Sequence, residues 1–177
     1  MFRALLILIF ACISFQALAN EIDSMEKIFN FYQITENIGT AGQPTIEQFA
    51  DIAREKYSTV INLAMHDSDN AIPEEGNIVR SLGMTYIHIP VPWETPTIDH
   101  IKKFFKVMDE LENEKIFVHC AANYRVSAFI HQYLTLRKEM ISIKATSPIL
   151  REWLPEMDNN WKKIMQFGDE DFDNSHH

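Results

Sequence analysis

The sequence predicts an α/β domain with a mainly parallel central sheet flanked by helices, and three observations carry that expectation. Three apolar runs of strand length, "STVINLAM" (58–65), "MTYIHIPV" (84–91) and "KIFVHC" (115–120), are rich in β-branched residues. Between and after them lie segments with helical spacing, the kind of crossover that parallel neighbours require. No repeat, low-complexity block or Pro/Gly-rich linker divides the 177 residues, so a single core is expected.

The elements follow in chain order. "MFRALLILIFACISFQALANEI" has Arg3 as a basic n-region, an apolar stretch from Ala4 to Phe15, and the small-x-small triplet Ala17-Leu18-Ala19. This pattern reads as a secretory signal peptide over 1–19, which predicts an exported, periplasmic protein. The apolar stretch is shorter than the roughly 20 residues of a spanning helix. Cys12 raises a lipoprotein alternative, but Phe10 sits poorly for lipidation and the Ala-Leu-Ala site lies further on.

The folded domain is then expected over 20–168. Residues 20–33 are mixed, with at most a short helix. "GTAGQPT" (39–45) is turn chemistry, with Thr45 a cap for a helix over 46–56. A polar loop follows the strand at 58–65, then a short helix that ends at Gly83. After the strand at 84–91 comes the loop "PWETPT". Apolar residues at 98, 101, 104, 105, 108 and 111 then keep helical spacing. The last strand, 115–120, leads into a helix over 126–140, and two shorter helices are expected at 147–157 and 160–167. The tail, 169–177, is polar and acidic and reads as disordered.

Charge narrows the function classes. Sixteen basic residues less Arg3 leave fifteen against twenty-five acidic, a balance of −10 for residues 20–177. So acidic a chain exerts no long-range pull on nucleic acid or an anionic membrane, and neither is expected as a partner. Once Cys12 leaves with the signal, Cys120 is the only thiol, which rules out an intramolecular disulfide. Two readings of it remain, a buried small hydrophobe or a reactive thiol.

Its neighbours favour the second. In sheets of this type ligands sit at the carboxyl ends of the strands, and "KIFVHC" delivers His119 and Cys120 to that edge. The helix that follows offers free N–H groups and a dipole that favour an anion and stabilise a thiolate. Arg125 can grip two oxygens of a tetrahedral oxyanion with its fork of donors. His119 either orients the thiolate or fills the strand end. Ser127 either stabilises the leaving sulfur or is a helix-start residue.

The stretches "VINLAM", "EEGNIVRSLGMTYIHIPVPW" and "IFVHCAANYRVSAF" resemble the cysteine-dependent protein tyrosine and dual-specificity phosphatases. The resemblance covers about residues 36–140 and is strongest to the small bacterial branch related to the phosphatase-like domain of β-lactamase hydrolase-like proteins. It implies a phosphocysteine mechanism with no metal and no cofactor, acting on a phosphorylated protein or a small phosphomonoester. On that pattern Cys120 is the nucleophile and Arg125 the phosphate clamp, while Ala121, Ala122, Asn123 and Tyr124 present the cradling amides.

The general acid is expected on the loop after "YIHIPV", where Glu94 sits; Asp99 and Asp67 are the rivals. Trp93 beside it is a hinge, a pocket wall or a core residue. The chain departs from the phosphatase pattern in having four residues between Cys120 and Arg125 rather than five. It also places Asn123 where glycine is usual and Val126 directly after Arg125. Asparagine tolerates positive φ better than other side chains do. A loop of this length is also that of rhodanese-like sulfurtransferases. Sulfur transfer is therefore the alternative enzyme class, and a non-catalytic anion- or partner-binding phosphatase fold is the third reading.

Overall fold

The computed structural model describes residues 24–173; the expected signal peptide lies outside them. Five strands form one sheet in the order β1-β2-β5-β3-β4, with β1 Tyr32–Thr35, β2 Ile38–Ala41, β3 Thr59–Asn62, β4 Thr85–His88 and β5 Ile116–His119. β1 pairs with β2 antiparallel and every other pairing is parallel. The register places Ala41 opposite His119, His119 opposite Asn62, and Asn62 opposite His88. One row of residues therefore marks the carboxyl edge of the four parallel strands, with β5 at its centre.

The helices are α1 Gln48–Arg54, α2 Glu75–Ser81, α3 Ile98–Glu110, α4 Tyr124–Leu136, α5 Ser142–Ala145, α6 Pro148–Trp153, α7 Asn159–Gln166 and α8 Asp169–Asp173, with a 3₁₀ turn at Leu154–Glu156. All three expected strands are present, and the helices between them fall where the periodicity put them. Strand alternation sorts β5 between two cores. Ile116, Val118 and Cys120 face the α3–α4–α7 side with Ile61, Phe104, Phe129 and Trp161, whereas Phe117 joins Phe49, Ile52, Val60 and Val79. Helix α4 is buried almost continuously from Arg125 to Leu134, as expected of a helix enclosed on most of its circumference.

Two expectations are corrected. The segments read as mixed (20–33) and as turn chemistry (39–45) contribute β1 and β2. Gly39 and Ala41 carry little strand propensity, and β2 owes its place to hydrogen bonding with β5. The tail expected to be disordered from 169 is helical over Asp169–Asp173, where Phe172 stacks on Phe105 with centroids 5.1 Å apart.

Trp161 is the largest fully buried side chain, and it meets Trp93 at 5.2 Å, Trp153 at 5.6 Å and Phe129 at 6.1 Å between centroids. Its Nε1 donates to the Trp93 carbonyl at 3.0 Å. Trp161→Ala is expected to cost about 3–5 kcal/mol, from the cavity and the unpaired carbonyl together, read as a fall in the urea midpoint.

Candidate active site

Cys120 leaves β5 at the centre of the carboxyl edge and is 1 % exposed. It is an unpaired thiol, and its N–H donates to Ala41 O at 3.3 Å. The loop after it is held from outside. Ala121 O accepts from Gln43 N–H at 3.2 Å and from Asn70 Nδ2 at 2.9 Å, and Ala122 O accepts from Asn30 Nδ2 at 3.1 Å. Gly42 makes this approach feasible, since a Cβ there would come 3.1 Å from Ala121 O and still closer to Phe29. Carbonyls turned outward in so tight a loop leave its amides to the inner side, next to the orphan N–H groups of the first turn of α4.

Asn123 makes the bend from loop to helix. It adopts φ 69°, ψ −1°, in the left-handed region that glycine and asparagine tolerate best. Its Nδ2 donates to Asn30 O at 2.7 Å and to Thr40 Oγ1 at 3.2 Å. The asparagine in the position where glycine is usual thus satisfies the backbone demand and also ties the loop to the segment before β1.

Arg125 lies in the first turn of α4 and is 8 % exposed, with its Nε buried and unpartnered. Its Cζ sits 5.4 Å from the Trp93 ring centroid, a cation–π contact that orients the guanidinium. Trp93 meets Tyr124 at 6.4 Å and Trp153 at 5.5 Å. Tyr124 is 38 % exposed and lines a cavity of about 270 Å³ beside the loop, with Asn30, Trp153, Glu152 and Glu156. Ser127 is buried, and its Oγ donates to Tyr124 O at 2.9 Å, the bond of a helix-start residue.

The carboxylates expected as proton donors are all solvent-facing. Glu94 is exposed in the loop after β4, and its backbone carbonyl accepts from Asn160 Nδ2 at 2.8 Å. Asp99 is exposed in the first turn of α3, and Asp67 is exposed in the turn after β3.

Behind the loop lies a cluster that sequence reading missed. His119 is fully buried, and its Nε2 lies 3.2 Å from Glu75 Oε1. Glu75 Oε2 accepts from Gln43 Nε2 at 2.5 Å, and Oε1 accepts from Asn62 Nδ2 at 2.8 Å. Burial alone pushes the Glu75 carboxyl up. The neighbouring His119 ring, 3.2 Å away, and the polar groups of Gln43 and Tyr86 around the carboxylate outweigh it and hold the group at about 2 instead of 4.5.

A folded value below the unfolded one stabilises above the unfolded value and is lost on acidification. Stability is therefore expected to fall as pH drops from about 4.5 to about 2. A urea-midpoint profile should show that slope, and it should be shallower in Glu75→Gln. In sequence, Glu75 looks like an ordinary acid in a first helical turn, and Asn30, Gln43 and Asn70 lie in irregular segments without a local pattern.

Residues 12–170 match the family described as DSP-PTPase phosphatase fused to NAD+ kinase. The chain belongs to that phosphatase family. A candidate phosphatase (DUF442) from Shewanella putrefaciens CN-32 is 30% identical, superposes with a TM-score of 0.72, and covers 81% of this chain and 91% of its own. The β-lactamase hydrolase-like protein of Agrobacterium fabrum is 30% identical over 96 residues, which are 52% of this chain and 22% of that protein, so the match spans about a fifth of that relative's length. The core catalytic domain of the PP-IP phosphatase SIW14 from S. cerevisiae is 16% identical with a TM-score of 0.64, covering 82% of this chain and 89% of that one, a likeness of fold. The chain is thus placed by family and by fold, its five-stranded, mostly parallel sheet flanked by helices as in folds of this type.

Proposed function

We propose that this phosphatase is an exported, metal-independent hydrolase of phosphomonoesters that works through a phosphocysteine at Cys120. The observation that carries the reading is the loop itself. Cys120, the only thiol among the described residues, opens a turn whose carbonyls accept from other segments, and that turn leads to a buried arginine whose Nε is unpartnered. Cys120 Sγ attacks phosphorus as the thiolate. The S–P bond forms while the ester P–O bond breaks, and the electron pair leaves on the ester oxygen, which takes a proton from an acid.

Amides of Ala121 to Tyr124 and the Arg125 fork hold the equatorial oxygens. Glu94 is the proposed proton donor, supported by its place on the loop after β4. Water then attacks the phosphocysteine, the P–S bond breaks, the thiolate returns, and Glu94 takes the proton from water. His119 supports the strand end from its opposite face. Ser127, bonded back into its own helix, contributes to the start of α4. Export rests on the Arg3, apolar-run and Ala-Leu-Ala pattern.

The test is turnover of an aryl phosphate by residues 20–177 in excess chelator, with orthovanadate as inhibitor. Hydrolysis that persists with chelator and stops with vanadate is expected. Thiocyanate production from thiosulfate and cyanide, without phosphate release, would replace the reading with sulfur transfer, the other class that a four-residue loop admits.

A further inference from the structure

We infer that Glu75 is a positioning residue for the anion cradle: its buried carboxylate fixes Gln43, which in turn fixes the outward orientation of the Ala121 carbonyl. The inference rests on the reading of the Cys120–Arg125 loop as an oxyanion site. Glu75 is 4 % exposed and joins three segments at the carboxyl edge. Gln43 follows β2, Asn62 ends β3, and His119 ends β5 immediately before the nucleophile.

The chain of contacts to the loop is short. Glu75 Oε2 accepts from the Gln43 side chain at 2.5 Å, and the Gln43 backbone N–H donates to Ala121 O at 3.2 Å. Asn62 is itself pinned, its Oδ1 accepting from Ala64 N–H at 2.7 Å, so the carboxylate is anchored to the sheet on one side and to the loop on the other.

Stability alone is a poor account of such a cluster. A carboxylate taken out of water is costly, and buried ionic groups are often replaceable by apolar ones without loss of stability. What the cluster supplies is direction. With the Gln43 side chain released, the segment that carries its N–H is no longer held against Ala121. The Ala121 carbonyl then keeps only the exposed Asn70 Nδ2 as an outside donor and turns inward more readily, and an inward carbonyl opposes an anion where an amide attracts it. Glu75 thus acts on the cradle through Gln43 and on the Cys120 end of β5 through His119, without touching the substrate.

The test reads the cradle without needing turnover. The ratio of Cys120 alkylation rates with iodoacetate and with iodoacetamide measures how strongly the loop draws an anion to the thiol. In Glu75→Gln the amide NH₂ faces one of the two donors the carboxylate accepted from, Gln43 Nε2 or Asn62 Nδ2, and the ratio is expected to fall about tenfold, the effect of one mis-set buried hydrogen bond. The double variant Gln43→Glu with Glu75→Gln exchanges acid and amide across the same bond, and it is expected to recover most of the ratio. Recovery on exchange is an outcome that a merely space-filling Glu75 would not produce.

Gln43→Ala removes the link from the other side and should show the same loss, which keeps the test intact if Glu75→Gln does not fold. A ratio within twofold of wild type in either folded single variant overturns the inference, as does an exchange variant that folds but regains nothing. Failure of the oxyanion reading itself appears earlier and elsewhere. Wild-type protein would then show no iodoacetate preference, and Arg125→Ala would not change the ratio.

Discussion

Cys120→Ser is expected to lower kcat for an aryl phosphate by at least about four orders of magnitude while leaving tungstate binding within about threefold of wild type. The two halves of that result come from different atoms. On the proposed mechanism the reacting electron pair belongs to Sγ, and a serine hydroxyl stays protonated at neutral pH without a base to take its proton. The proposed oxyanion contacts belong to loop amides and Arg125, and the loop is held by Gln43, Asn70 and Asn30 rather than by the thiol. The substitution is also sterically small at a site 1 % exposed, so the loop is expected to keep its shape. Rapid-quench experiments with ³²P-labelled substrate should trap one phosphate per wild-type chain and none in the variant. Because Cys120 is the only cysteine after residue 19, mass spectrometry assigns the trapped group without ambiguity. Residual activity above about one per cent would move the nucleophile elsewhere.

How much of this site was legible in sequence depended on whether the signal was local. Cys120 and Arg125 were readable because strand, loop and helix follow one another in "KIFVHCAANYRVSAF", and the structure joins them in that order. Asn123 was readable for the same reason, since a positive-φ demand falls on one residue and only a few side chains meet it. Strands 58–65, 84–91 and 115–120 announced themselves by β-branched apolar runs. Strand β2 did not, because "IGTA" gains its conformation from its neighbour β5 and not from its own side chains.

The supporting shell was illegible because its parts are distant in sequence and each has an ordinary local reading. Asn30 reaches a loop 92 positions on, Asn70 one 51 positions on, and Gln43 a carboxylate 32 positions on. The aromatic cluster above Arg125 combines Trp93, Tyr124, Trp153 and Trp161 from four elements of the chain. Trp93 was open between hinge, pocket wall and core in sequence. The structure packs it against buried Trp161 and over the arginine.

Arg125→Lys is expected to lower kcat/KM by about two to three orders of magnitude and to weaken tungstate binding with it, because the change removes geometry and not charge. Lysine keeps a positive end but offers a single ammonium in place of a planar fork, so two equatorial oxygens cannot be held at once. Burial sharpens the contrast. Arg125 is 8 % exposed, and its Nε has no protein partner, which leaves that donor available for an oxyanion in the cradle. The stacking on Trp93 is lost as well, at a cost of about 0.5–2 kcal/mol, so some loss of thermal stability accompanies the kinetic one. The two effects separate on comparison with Trp93→Leu, which removes the stacking face but keeps the fork. That variant should lose more stability than Arg125→Lys, because Trp93 also packs on Trp161, Trp153 and Tyr124, but only about tenfold in kcat/KM, since the guanidinium is loosened and not deleted. Were Arg125 held only for packing, activity and tungstate affinity would both follow stability, and Trp93→Leu would lose the more of each. A larger kinetic loss for the lysine despite its smaller loss of stability identifies the bidentate clamp as the source of transition-state stabilisation.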